Sequence, residues 1–160
     1  ENGTQFGRSS MTYLPMIHTS YGILNDFLYW DEFLYADKSL EVFQALKSIA
    51  YINVKKIPGK TQSSSTEIQN AYKINRDLLL KQINLYNPDI IIGGNTLHYF
   101  FKDLNIPENM LERNGSLRYI TLGKKLYIDA YHPAQRGNVA TKEIYSNEII
   151  ETVAKWSEII

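Results

Sequence analysis

Apolar positions along this chain recur at three- and four-residue spacing in some stretches and gather into short runs in others, and the two patterns predict different elements. Ile23, Phe27, Trp30 and Leu34 carry helical spacing, which predicts a helix over residues 22–37. Ser39 stands where an N-cap would open a second, short helix to Lys47, with Val42, Phe43 and Leu46 inward. Ile49 to Val54 is a short apolar run of the length of a buried strand, and Pro58-Gly59 marks a turn after it. Ser64 and Glu67 have the spacing of a capping box. They predict a helix to about Tyr86, with Ile68, Tyr72, Leu79, Ile83 and Tyr86 as its buried stripe. Asn87-Pro88 ends it.

The second half repeats the alternation. Asp89 to Ile92 reads as a strand closed by Gly93-Gly94, and Asn95 or Thr96 as the cap of a helix carrying Leu97, Phe100 and Phe101. Pro107 opens a short helical turn. Tyr119 to Leu122 and Lys125 to Ala130 read as a hairpin about Gly123-Lys124. Thr141 to Trp156 closes the chain as a helix, with Ile149, Val153 and Trp156 on one side. Residues 1–10 carry turn residues and no apolar period, and read as loop. Strands alternating with helices predict one α/β domain: a three-layer α/β/α arrangement around a mostly parallel, four-stranded sheet.

Composition narrows the chemistry. The 160 residues suit a single domain, and 44% hydrophobic with 21% charged residues fits a folded chain. With no cysteine, disulfides, thiolate zinc sites and cysteine-held iron–sulfur clusters are excluded. The lack of cysteine fits a reducing compartment, and the expected location is cytoplasmic. No apolar run approaches membrane-spanning length, so no membrane partner is expected. The formal net charge is zero, which counts mildly against a general nucleic-acid binder, but Lys55, Lys56 and Lys60 cluster in one loop and Lys124, Lys125 and Arg136 lie near another. Single clusters of this kind also occur as ordinary solvated lysines.

Ligands of open α/β sheets sit beyond the carboxyl ends of the strands. Those ends carry Asn53, Gly93-Gly94-Asn95 and His132. Asn53 offers a donor and an acceptor side by side, fit to read a pyrimidine edge, and fit equally to bond nearby backbone. Gly93-Gly94 matches neither the dinucleotide fingerprint nor the P-loop, and reads better as a tight turn than as a phosphate cradle. His132 precedes Pro133, which keeps it extended at the rim of the sheet, where an imidazole could stabilise charge on a carbonyl oxygen. Phe6 lies in an irregular loop, where an aromatic ring either stacks on a flat ligand or staples the loop to the core. His98 reads as structural, and no carboxylate stands at metal-ligand spacing, so neither a metal nor a cofactor is expected.

Taken together, Gly3 to Arg8, Ile49 to Asn53, Ile90 to Asn95 and Tyr131 to Arg136 resemble, in order and spacing, the motifs of the uracil-DNA glycosylase superfamily. The resemblance implies a single uracil-DNA glycosylase-like domain that acts on DNA as a monomer. It implies that Phe6 stacks on an extruded base, Asn53 reads its edge and His132 faces its carbonyl. It further implies that Gln135 or Arg136 fills the vacated space in the duplex, while Lys55, Lys56 and Lys60 meet phosphates. The chain departs from the family pattern in two places. Ala134 stands where the family has serine, and the strand and Gly-x-x-Pro turn of the first motif, with its water-positioning group, would lie before Glu1. Three other readings stand beside cleavage of a flipped base: a non-cleaving nucleic-acid- or protein-binding member of the same fold, an enzyme acting on free nucleosides or nucleotides, and a tyrosine-rich oligomerisation domain.

Overall fold

The structure is a computed structural model, and it describes residues 10–57, 63–134 and 141–160, with the side chains of residues 10 and 11 excepted. Phe6, Lys60, Gln135 and Arg136, and the Pro58-Gly59 turn, lie outside the described residues.

Four helices and four strands form an α/β fold: α1 (Ser10–Leu24), α2 (Leu40–Gln44), α3 (Ser65–Tyr86), β1 (Ile90–Gly94), β2 (Glu112–Asn114), β3 (Leu117–Leu122), β4 (Lys125–Ala130) and α4 (Lys142–Ser157). Short 3-10 turns at Ala45–Ser48, Leu97–Phe100 and Glu108–Met110 complete it. The sheet order is β1-β4-β3-β2. Only the β1–β4 pair is parallel; β4–β3 and β3–β2 are antiparallel. The expected mostly parallel sheet is therefore a mixed one. Its cause is local: the Gly123 turn, at φ 61°, folds β3 straight back on β4, so no crossover separates them.

Apolar side chains pack on both faces of the sheet. Leu126 and Ile128 of β4 join Ile149, Val153 and Trp156 of α4 in one cluster. Tyr127, between them in sequence, points the other way with Ile120 and packs with Tyr72 and Leu79 of α3. Leu79, Leu126, Ile128 and Ile150 are fully buried, and each such side chain contributes about 1.5–3 kcal/mol by leaving water.

Six predicted elements form where they were expected, because their signals are short-range; two of them are the short helix capped by Ser39, whose Oγ accepts the Val42 N–H at 3.4 Å, and the helical turn opened by Pro107. Ser64 Oγ accepts the Glu67 N–H at 3.2 Å and Glu67 Oε2 accepts the Ser64 N–H at 2.7 Å, so the capping box is real. Asn87, at φ 43°, closes the same helix. The hairpin, β1 and α4, capped by Thr141, also form.

Three expectations fail. The helix expected over residues 22–37 ends at Leu24, because Asp26 and Phe27 take φ values of 55° and 61° and turn the chain back. Trp30 is still buried, but Leu34 is 63% exposed. The first helix lies earlier, over Ser10–Leu24, with Pro15 inside it; Ser146 Oγ of α4 donates to the Pro15 carbonyl at 3.5 Å. The predicted strand Ile49 to Val54 enters no ladder among the described residues. The helix expected after Gly94 is a single 3-10 turn, in which neither Asn95 nor Thr96 caps through its side chain.

Candidate functional site

A cavity of about 970 Å³ opens beside β1. The segment Ser48 to Ile57 lines it, as do His132 and Pro133. Asn53, Lys55, Lys56, Gly93, Gly94 and His132 all line it. The cavity thus brings together the three strand-end motifs singled out in the sequence, although only two of those segments belong to strands.

His132 follows β4 directly, where Pro133 ends the ladder. Its Nδ1 accepts the Ala134 backbone N–H at 3.1 Å. With Nδ1 held as an acceptor, the neutral ring carries its proton on Nε2 and presents that N–H as a donor. Desolvation against the cavity wall lowers the His132 pKa from its ordinary value, even though the ring keeps an exposed edge. Both effects favour a neutral hydrogen-bond donor at pH 7. Ala134 thus supplies, through its backbone, a contact that needs no serine hydroxyl.

Beneath this turn lies Gly94. A Cβ there would stand 3.0 Å from Pro133 Cδ. At Gly93 a Cβ would come within 2.6 Å of the Leu97 backbone nitrogen. The two glycines allow close approach of strand, turn and His-Pro segment.

Asn53, which also lines the cavity, is exposed. The Tyr51 hydroxyl donates to its Oδ1 at 2.9 Å. The amide oxygen is therefore engaged, and the Nδ2 hydrogens are left to donate to a ligand acceptor. Burial, with a smaller contribution from Tyr13, raises the Tyr51 pKa, so this hydroxyl stays protonated. The Tyr13 ring stands edge-on to Tyr51 at 6.2 Å between centroids. Tyr51 was not singled out in the sequence; its position two residues before Asn53 is the only local signal for it.

The lysines are less free than expected. Lys55 Nζ lies 3.7 Å from Glu67 Oε1 and donates to Ser63 Oγ at 3.3 Å. Lys56 Nζ donates to Gln82 Oε1 at 2.8 Å. Both tie the cavity wall to α3, so a phosphate would have to compete for them. Asp89 is the only carboxylate among the described lining residues. It precedes β1, whereas His132 lies beyond the Gly94–Ala130 pair at the other end. Five residues of strand rise separate them, roughly 16 Å.

Two further polar groups escape sequence reading. Thr19 lines the cavity, and its buried Oγ1 has no hydrogen-bond partner among the described residues. His18 beside it is fully buried against Trp30, Phe33 and Tyr35, and neither ring nitrogen has a hydrogen-bond partner among the described residues. Desolvation lowers its pKa to about 4. His18 faces the aromatic cluster and does not line the cavity. The His98 ring lies tilted against Tyr99 at 4.1 Å between centroids. Among the described residues no group of three or more His, Asp or Glu side chains is placed to hold a metal ion, and no helix is long and apolar enough to cross a membrane.

The chain matches no protein-family model, no curated protein and no solved structure.

Proposed function

We propose that the chain is a DNA glycosylase-like protein that takes uracil or a related damaged pyrimidine into this cavity and hydrolyses its N-glycosidic bond. The observation that carries the reading is that His132, with Nδ1 engaged as an acceptor, and Asn53, with Oδ1 engaged as an acceptor, line one cavity. Pyrimidine carbonyls are acceptors, and two donors on one cavity suit them.

Extruding the nucleotide from its stack costs a few kcal/mol. Asn53 then reads a carbonyl edge. As the bond between the sugar C1′ and the base nitrogen breaks, its electron pair leaves with the base, and His132 stabilises the resulting anion by hydrogen bonding. Such a donor is worth about 3 kcal/mol by comparison with oxyanion-hole groups. Water adds its oxygen to C1′, and a proton finally neutralises the base. Phe6 would stack on the base, Gln135 or Arg136 would occupy the gap in the DNA, and Lys55, Lys56 and Lys60 would meet phosphates. Under the same reading the protein works as a monomer, and the helices on the two sides of the sheet are the outer layers of a three-layer domain.

A second reading, a member of the same fold that binds a base without cutting, is favoured by one observation: the sole described carboxylate on the cavity, Asp89, sits at the end away from His132. No described acid is therefore at hand to position water. Single-turnover cleavage of uracil-containing single-stranded DNA, with binding measured in parallel, separates the two. Cleavage reduced about a hundredfold or more in His132→Ala supports the enzyme. Binding without cleavage selects the second reading, and neither binding nor cleavage overturns both.

A further inference from the structure

Helix α1 turns one face to the cavity. Thr12, Met16, Thr19 and Ile23 recur at helical spacing, and all four line it. Thr19 is the buried polar member of that row, at 4% exposed. Its Oγ1 has no hydrogen-bond partner among the described residues.

The cause is local. A threonine inside a helix ordinarily turns its hydroxyl to the carbonyl three or four residues back. For Thr19 those carbonyls belong to Met16 and Pro15. Each has two lone pairs, and the helical ladder uses one. The other is taken at Met16 by the Ser20 hydroxyl, which donates at 2.7 Å, and at Pro15 by the Ser146 hydroxyl of α4, which donates at 3.5 Å. Other hydroxyls thus hold the places Thr19 would use. A buried hydroxyl without a bond costs folding free energy that a valine of the same shape avoids. The position is therefore paid for without return in the fold itself.

The base-binding reading supplies the missing partner. The edge of uracil alternates a carbonyl, an N–H and a second carbonyl. His132 and Asn53 bring donors, which suit the two carbonyls. The N–H between them needs an acceptor. Asn53 Oδ1 does not supply it, because the Tyr51 hydroxyl already donates to it at 2.9 Å. Asp89, the only carboxylate among the described lining residues, stands at the start of β1, away from His132.

We propose that Thr19 is a specificity-determining residue of this cavity, with Oγ1 accepting the imide N–H of a bound uracil-type base. The inference rests on the base-binding reading and narrows it to bases that carry an N–H between two carbonyls. Threonine in a helix has two χ1 wells, so the hydroxyl turns to an entering base without disturbing α1. Both buried groups then gain the bond that each lacks alone.

The test is calorimetric titration of the whole chain with two single-stranded oligonucleotides. They differ at one base, uracil in one and 3-methyluracil, which has a methyl group in place of the N–H, in the other. Thr19→Val is expected to weaken uracil binding about tenfold and to leave 3-methyluracil binding unchanged. Its melting temperature is expected to stay the same or rise, and Thr19→Ser is expected to restore uracil binding. The wild-type chain gives a second reading that needs no variant: a nuclear Overhauser contact between the imino proton of bound uracil and the Thr19 methyl group. Equal weakening for both oligonucleotides, weakening for neither, or a bound imino proton without that contact overturns the inference and leaves the base-binding reading standing. A wild-type chain that binds neither oligonucleotide overturns that reading, and the inference with it.

Discussion

The Ala134 backbone N–H donates to His132 Nδ1 at 3.1 Å, and this bond decides which imidazole nitrogen faces the cavity as a donor. The proline between them sets the turn that makes the bond possible. The tautomer is thus written into the backbone and does not depend on a neighbouring carboxylate.

Nitrogen-15 NMR of the histidine rings is expected to find His132 neutral at pH 7 with its proton on Nε2, and a pKa below the ordinary histidine value, because burial lowers it. If cleavage uses that donor together with a neutral ring, activity falls as acid charges the imidazole. A His132 that titrates above the ordinary value contradicts the desolvated, acceptor-held ring.

Gly93→Ala places a methyl group against the Leu97 backbone. Backbone cannot yield as a flexible side chain can, so destabilisation of about 1–3 kcal/mol is expected. Chemical denaturation measures it, and the Leu97–Phe100 turn should show the largest shifts in NMR. Gly123→Ala meets open space but keeps φ at 61°, so a smaller loss of about 1 kcal/mol is expected there.

Ser64→Ala removes the acceptor for the Glu67 N–H and should cost about 1 kcal/mol. The Glu67 pKa is lowered, first by the Ser64 backbone hydrogen bond and then by Lys55. Its contribution to stability is therefore present above the unfolded-state carboxylate pKa and lost as pH falls through the lower folded value. The variant also loosens Glu67, the partner of Lys55 at the cavity wall.

Stability should decline in a second window. His18 has a folded pKa of about 4 against an ordinary 6.5, so the unfolded chain binds the proton first. Folding free energy is lost as pH drops from about 6.5 toward 4, on this account. Asp37 opposes the burial effect and Lys142 adds to it. His18→Phe, which keeps an aromatic ring beside Trp30, should flatten the decline in thermal melts over that range; an unchanged slope rules His18 out as its source.

Much of this architecture was legible wherever the signal was local. The capping box at Ser64 and Glu67, the Gly123 turn and the Thr141 cap each act within three or four residues, and α3, the hairpin and α4 form around them. Helix α1 was hidden by Pro15 and by its serines and threonines, and is held by packing on α4, which no window on the sequence contains. Strand β2 is polar, Glu-Arg-Asn, and exists only because β3 pairs with it. Ile49 to Val54 illustrates the converse: an apolar run is a strand only when a neighbour supplies the ladder. Of the candidate residues read from the sequence, Asn53 and His132 line one cavity, whereas Tyr51, which bonds Asn53, became visible only through the hydrogen bond between them.

Two donors on one cavity, at Asn53 and His132, are the core of the account. Tyr51→Phe leaves the cavity in place but frees Asn53 Oδ1, and should loosen discrimination between uracil and cytosine severalfold in a binding titration. The most direct measurement is NMR titration of the isotope-labelled chain with a short uracil-containing oligonucleotide, following the His132 Nε2–H and Asn53 Nδ2 resonances together. The account predicts that both move with the same dissociation constant and that the shift at His132 reports a new hydrogen bond. Movement of only one, or of neither while the oligonucleotide binds elsewhere, would contradict it.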